Sequence, residues 1–175
     1  QKMKSSWETL DKKGIPLDIK VGKGTYIGKG VKLNYNVELG RAAHINGNVI
    51  FGKNIKIWRI VHLSTFPNQT LTIEDNVKIL WGDIIKGNIV IGENSTIESS
   101  VNMTGSDEFP LRIGKNVLIK GSSYLFGSVV EDDVTIEHSV LIKKKIKAEN
   151  DATGKIKPVR FYIPETEGKD LLSDI

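Results

Sequence analysis

One column of residues constrains this chain more than any other feature. Asn36, Asn54, Asn76, Asn94, Asn116 and Asp133 recur at spacings of 18, 22, 18, 22 and 17 residues. Each is the fourth residue of a hexad that opens on an apolar residue: Leu33, Phe51, Ile73, Ile91, Ile113 and Val130. Asn and Asp are the non-glycine residues that best tolerate the left-handed backbone region. A tight corner at each of these positions accounts for them. A corner residue every third hexad predicts a triangular coil of three short strands, repeated along an axis, because self-similarity at a fixed period marks a solenoid.

The finer period agrees. Apolar residues stand at positions 21, 27, 33, 39, 45, 51, 57 and 63, then at 73, 79, 85, 91, 97 and 103. A third series runs 113, 119 and 125, slips by one, and continues 130, 136 and 142. Four places after most openers stands a small or β-branched residue, as in Thr25, Val31, Val37, Ala43, Val49, Ile55, Val61 and Val77. Both positions are read as inward and their neighbours as outward, since side chains alternate on a strand. A helix needs a 3.6-residue period, which this spacing does not match.

Hexads such as Ile27-Gly-Lys-Gly-Val-Lys, Phe51-Gly-Lys-Asn-Ile-Lys, Ile91-Gly-Glu-Asn-Ser-Thr and Ile113-Gly-Lys-Asn-Val-Leu resemble the repeat of hexapeptide left-handed parallel β-helix proteins. The resemblance extends over roughly 120 of the 175 residues. The left hand of the coil is what the resemblance implies, against the usual right-handed crossover. The period itself gives only three short faces per turn. Members of the family are mostly acyltransferases and the C-terminal domains of sugar-phosphate nucleotidylyltransferases. They are commonly trimers. Fold alone does not settle which activity applies.

The expected class is therefore all-β: a left-handed parallel β-helix with a short N-terminal helix and a C-terminal hairpin and helix tail. The expected divisions are a cap over residues 1–20, the β-helix over 21–142 and a tail over 143–175. Ser5 and Glu8 have the spacing of a capping box and Gly14 stands where a helix would stop, which predicts a helix over Ser6 to Lys13. A lid there would cover the open end of the solenoid. In the tail, Ile142 to Ile146 and Val159 to Ile163 are read as a hairpin, with a weak helix from Pro164 onward.

Charge and composition narrow the functions. There are 25 Lys and Arg against 21 Asp and Glu, a balance too diffuse for a nucleic-acid footprint. The run Lys143-Lys144-Lys145-Ile146-Lys147 reads as a solvated edge that discourages strand pairing. No cysteine is present, so there is no disulfide framework and no thiolate zinc site, and the cytoplasm is the expected compartment. No apolar run approaches a membrane span. No membrane, nucleic-acid or metal partner is expected. The first residue is Gln1 rather than Met, which suits a piece of a longer protein.

Both breaks in the hexad series fall at the same corner, after a second-face strand. One adds about four residues around Phe66-Pro67-Asn68-Gln69, the other about four around Phe109-Pro110-Leu111-Arg112. The coil between them turns with Gly87-Asn88. With strands about 4.8 Å apart, two loops two coils apart frame a notch about 10 Å wide. Its expected walls are the Phe66 and Phe109 loops, its floor Ile84, Lys86, Gly87 and Asn88, and its lower edge His62 and Ser64.

His44 and His62 lie 18 residues apart and both precede an inward residue, so they are expected to stack outward on the second face. Histidine titrates near neutrality and is the usual base for moving an acyl group from a thioester to a hydroxyl or amine. Outward histidines serve so in acyltransferases of the resembling family. His62 and His44 are thus the candidate catalytic residues, with His138 less favoured. Two histidines alone lack the further ligands of a zinc site. Trp58 and Leu80 are expected to stack outward on the first face, with Leu118 two coils on, as a surface for another subunit, a trimer being favoured. Asp83 occupies a slot that should be inward.

Three functions follow. The first is the β-helix module of a sugar-phosphate nucleotidylyltransferase-like protein, used for oligomerisation or ligand control and needing no cofactor. It rests on the likeness of Ile119 to Ile142 to such modules. The Gly-rich nucleotide-binding loop of that family is absent here, so these residues alone would perform no nucleotidyl transfer. The second is an acyltransferase using acyl-CoA as co-substrate and a sugar or nucleotide-linked sugar as acceptor. The third is a structural scaffold.

Overall fold

The computed structural model describes residues 12–160 and 172–175. Its strands are two to four residues long and fall into three ladders, one per face of a left-handed parallel β-helix of about seven coils. The first-face ladder has eight strands, beginning Lys20–Val21, Val37–Leu39 and Ile55–Ile57. The second has seven, among them His44–Asn46, His62–Ser64 and Ile84–Gly87. The third also has seven, among them Val49–Phe51, Leu71–Ile73 and Ile89–Ile91. Every pairing between successive coils is parallel.

The hexad explains the register. Leu39, Ile57, Ile79 and Ile97 stack inside the first face, Ile45, Leu63, Ile85 and Met103 inside the second, and Phe51, Ile73, Ile91 and Ile113 inside the third. All are buried. Burying each such side chain contributes about 1.5–3 kcal/mol. Like stacks on like, so one core of uniform width runs the length of the coil.

The Asn column turns the corner between third and first faces. Asn36, Asn54, Asn76, Asn94, Asn116 and Asp133 all have φ between 55° and 66°. Their side chains also join coil to coil. The Nδ2 of Asn36 donates to Oδ1 of Asn54 at 2.9 Å, that of Asn54 to Asn76 at 3.2 Å, and that of Asn116 to Asp133 at 3.2 Å.

The corner between first and second faces is left-handed too, at Ala42, Ile60, Gly82, Ser100, Ser122 and His138. No single residue type marks it, so it leaves no column in the sequence. At the third corner Gly87 is required. Its φ is 112°, and a Cβ there would come within 1.9 Å of the Gly105 carbonyl oxygen.

The ends depart from expectation. The helix expected over Ser6 to Lys13 lies, but for Lys12 and Lys13, outside the described residues, and those two stand in a turn. The helix expected from Pro164 onward falls mostly outside them. The expected hairpin is corrected. Lys144–Ile146 continues the third-face ladder in parallel from Val129–Val130, and Pro158–Val159 continues the first-face ladder from Thr135–Ile136. The antiparallel partner of Lys144–Ile146 is Leu172–Asp174. Open backbone edges at the end of a parallel stack recruit whatever strand follows, and two different ladders offered such edges.

Asp83 is inward and fully buried, in the slot that Val61 and Val101 fill one coil before and after. One carboxylate oxygen accepts the Val101 amide at 2.7 Å, while Oδ2 has no hydrogen-bond partner. Burial pushes its pKa up from 3.8 to about 8, against the lowering effect of the Val101 hydrogen bond. The same slot two coils on holds Ser123, whose hydroxyl accepts the Ser139 amide at 3.0 Å and donates to the Lys120 carbonyl at 2.9 Å. A serine meets both needs; an ionised aspartate meets one.

Two outcomes follow. Asn94→Ala lowers the urea unfolding midpoint by an amount equivalent to about 1 kcal/mol, the order of the left-handed penalty, whereas Asn94→Gly costs less. For Asp83, the folded carboxyl holds its proton up to about pH 8 while the unfolded one releases it near 3.8. Its full contribution is therefore present below about pH 4. Stability then falls as pH rises toward 8, with a limiting slope of about 1.4 kcal/mol per pH unit, and is flat above that. Asp83→Val removes this slope, which urea titrations at pH 5 and pH 8 measure.

Candidate functional site

The second face brings the two candidate histidines together. The register His44–His62–Ile84–Asn102–Tyr124 runs in one outward column, and Asn46–Ser64–Lys86–Thr104–Phe126 in the next. Tyr26, His44 and His62 form a stack of rings, with centroids 5.0 Å and 5.3 Å apart and planes inclined by 21° and 25°. His44, between two rings, is half-buried; His62, at the end of the stack, is exposed. Neither imidazole makes a hydrogen bond or ion pair within the described residues, so stacking alone orients them. His138 is different: its Nδ1 lies 2.7 Å from the Gly121 carbonyl oxygen at a left-handed corner, away from this column.

The two Phe-Pro loops share one corner, as the spacing predicts, but the notch between them is not open across its width. The side-chain amide of Gln69 donates to Oδ1 of Asp107 at 3.0 Å, tying loop to loop over the Gly87-Asn88 turn. Gln69 is only 6% exposed. Each loop is also closed on itself. The Phe66 amide donates to Gln69 Oε1 at 3.1 Å, and the Phe109 amide to the Ser106 hydroxyl at 2.9 Å. A pair of polar residues at the loop tips was the signal for this bridge, but nothing in the repeat pairs Gln69 with Asp107.

Of the expected floor, Asn88 is engaged by the second loop: its Oδ1 accepts from Nη2 of Arg112 at 3.0 Å. Burial lowers the pKa of that guanidinium. Ile84 and Lys86 lie one strand over from His62 and Ser64. The Lys86 ammonium sits 4.3 Å from the centre of the Phe66 ring, and Lys143 is 4.2 Å from that of Phe109. Phe66 and Phe109 thus act as platforms for cations rather than as bare apolar walls. What remains in one place is an exposed imidazole, a hydroxyl and an ammonium on adjacent strands.

On the first face, Trp58 and Leu80 stack on successive coils and both are half-buried. The Lys56 ammonium lies 4.6 Å from the Trp58 ring. Leu118 is not in their column. It pairs with Thr96 and Thr135 in the neighbouring outward row, because the residue two coils beyond Leu80 is Lys120. The third face carries a shallow depression of about 340 Å³ around Ile50, Thr72, Glu74, Asp75, Glu93 and Lys115. Two of its charged groups are engaged: Lys115 pairs with Glu93 at 3.2 Å and Asp75 accepts the Lys53 backbone amide at 2.8 Å. Among the described residues no three side chains of metal-ligating type converge.

No protein-family model and no curated protein matches the sequence. Several solved structures resemble the fold. A perosamine N-acetyltransferase from Caulobacter crescentus, in complex with CoA and GDP-perosamine, shares 12% identity at a TM-score of 0.47. The match covers 82% of this chain and 58% of that one. A UDP-N-acetylglucosamine acyltransferase from Campylobacter jejuni shares 13% identity over 79% of this chain and 72% of that one, at a TM-score of 0.34. The acetyltransferase domain of PglB from Neisseria gonorrhoeae, in complex with acetyl coenzyme A, shares 13% identity over 83% of this chain and 60% of that one, at 0.27. At such identities and scores the likeness carries no chemistry over to this chain. The repeat and the three parallel ladders together give this chain the fold of a left-handed parallel β-helix built on hexapeptide repeats.

Proposed function

We propose that this protein is an acyltransferase, moving an acyl group from acyl-CoA to a hydroxyl or amine of a sugar or nucleotide-linked sugar, with His62 as general base. The observation that carries the reading is the exposed, unpaired imidazole of His62 beside Ser64, Lys86 and the Phe66 loop. A neutral imidazole takes the proton of the attacking hydroxyl or amine as its oxygen or nitrogen bonds to the thioester carbon. The tetrahedral adduct then collapses, the carbon–sulfur bond breaks, and the imidazolium returns the proton to the leaving thiolate. Lys86 contributes a point charge for a phosphate of either substrate.

The nucleotidylyltransferase-module reading rests on the repeat alone, and no feature of the second face favours it. Self-association is part of the proposal. The Trp58 and Leu80 column is the contact, and a trimer is the assembly that the family resemblance favours.

The test is thiol release from acetyl-CoA with a panel of amino and hydroxy sugars. His62→Ala lowers the rate by about 10²–10⁴-fold, the usual worth of a general base, with the assembly intact. His44→Ala, further from the loops, has the smaller effect. Activity that survives both substitutions unchanged sinks the site assignment. Light scattering checks the assembly: a Trp58→Asp, Leu80→Lys double variant is smaller than the wild type.

A further inference from the structure

The corner between first and second faces holds a ridge that the acyltransferase reading does not use. Lys23, Arg41 and Arg59 occupy the same place on three successive coils, all exposed, and Trp81 takes that place on the fourth. With coils about 4.8 Å apart, the three cations span about 10 Å. The Arg59 guanidinium carbon lies 5.5 Å from the centre of the Trp81 ring. Among the described residues none of the three cations makes an ion pair. The ion pairs among the described residues all lie between Glu93 and Asp174.

The charge is polarised along the axis. Residues 12–82 carry 11 Lys and Arg against 4 Asp and Glu, whereas residues 83–160 carry 11 of each. Of those four carboxylates, Asp18, Glu74 and Asp75 stand at or beside the Asn corner, and Glu38 stands in a first-face strand. None is on the ridge. The lysine run at 143–147 is the opposite case. Lys144 pairs with Asp174, Lys145 with Glu131 at 3.6 Å, and Lys143 lies over Phe109.

At the tip of the ridge stands Ile60, with φ of 52° and 46% exposed. A β-branched residue in the left-handed region is a true outlier and costs about 1–2 kcal/mol. The same corner is made elsewhere by Gly24, Ala42, Gly82, Ser100 and Ser122. Exposed as it is, Ile60 has little packing to offset that strain. Trp81, one coil on, is 42% exposed. Strain kept at one position is grounds for a functional hypothesis.

We infer that the Lys23–Arg41–Arg59 ridge, with Ile60 and Trp81 at its crest, docks on an anionic lipid surface. The crest is a convex corner, which a deformable interface accepts and a rigid protein partner meets only with a matching groove. Exposed apolar and indole side chains enter the headgroup boundary, and the flanking cations meet lipid phosphates. Docking of this kind is peripheral: no helix of the described residues is long and apolar enough to cross a membrane. The inference stands apart from the acyl-transfer reading.

The test is co-sedimentation of the full chain with vesicles of phosphatidylcholine alone and of phosphatidylcholine with phosphatidylglycerol. Binding is expected only to the anionic vesicles, weakening as salt is raised. Arg41→Glu with Arg59→Glu weakens it by roughly an order of magnitude or more. Ile60→Gly separates docking from folding: it leaves the melting temperature nearly unchanged, because relief of the left-handed strain offsets the added entropy of a glycine in the unfolded chain, yet weakens vesicle binding several-fold. Equal binding to both vesicle types overturns the inference. So does binding unaffected by either variant, or binding to a soluble acidic polymer with none to vesicles. A change of mass on Ile60→Gly in light scattering overturns it in favour of contact with a second copy.

Discussion

Everything in this molecule depends on closing a coil of three short strands so that the next coil lies directly over it. A strand of two or three residues has little stability of its own; it persists because its amides and carbonyls are used by the coils on either side. The corner must therefore turn the chain sharply and still present its backbone along the axis. The left-handed conformation does this. The amide of Asn54 donates to the Tyr35 carbonyl, that of Asn76 to Lys53, that of Asn94 to Asp75, and that of Asn116 to Glu93, each at 2.9–3.0 Å. Because the corner's own amide is one of the bonds between coils, a residue that resists this conformation threatens the stacking as well as the turn.

The same geometry explains where polar groups enter the core. Inward slots beside corners lie next to backbone amides of the following coil, so a short acceptor is tolerated there. Ser95 accepts the Val117 amide at 3.0 Å and gives its proton to the Gly114 carbonyl at 2.8 Å. Ser123 does likewise one corner over. Asp83 has the acceptor without the donor unless it is protonated. That is why burial raises its affinity for a proton so far. The backbone carbonyl of Asp83 accepts the His62 amide at 2.9 Å, so the buried acid lies on the next coil, one strand spacing from the exposed imidazole's backbone.

Stacking one coil on another also turns sequence intervals into surface columns, and these columns carry whatever chemistry the fold supports. Residues 18 or 22 apart become neighbours separated by one strand spacing. A ring stack, a cation ridge and an apolar row are thus made without any local motif. The loops are the exception to strict repetition, and they act by tying coils together. Gln69 reaches Asp107 across an intervening coil, and Arg112 reaches back to Asn88.

The sequence by itself determined the coil, its three faces, the Asn corner and the outward column from Tyr26 to Tyr124. Each is a statement about period, and period survives in a linear text. It also placed both Phe-Pro loops at one corner. The tertiary structure alone decided what depends on distance between positions of no fixed spacing. Gln69 and Asp107 join because a long side chain at one loop tip reaches the other. The second left-handed corner was invisible because its bond to the next coil is made by the backbone, whose conformation Ala42, Ile60 and Ser100 adopt under constraint from the stacked coils. The tail strands joined two ladders rather than each other because the free edges of the last coil, set by the whole stack, decided where they paired.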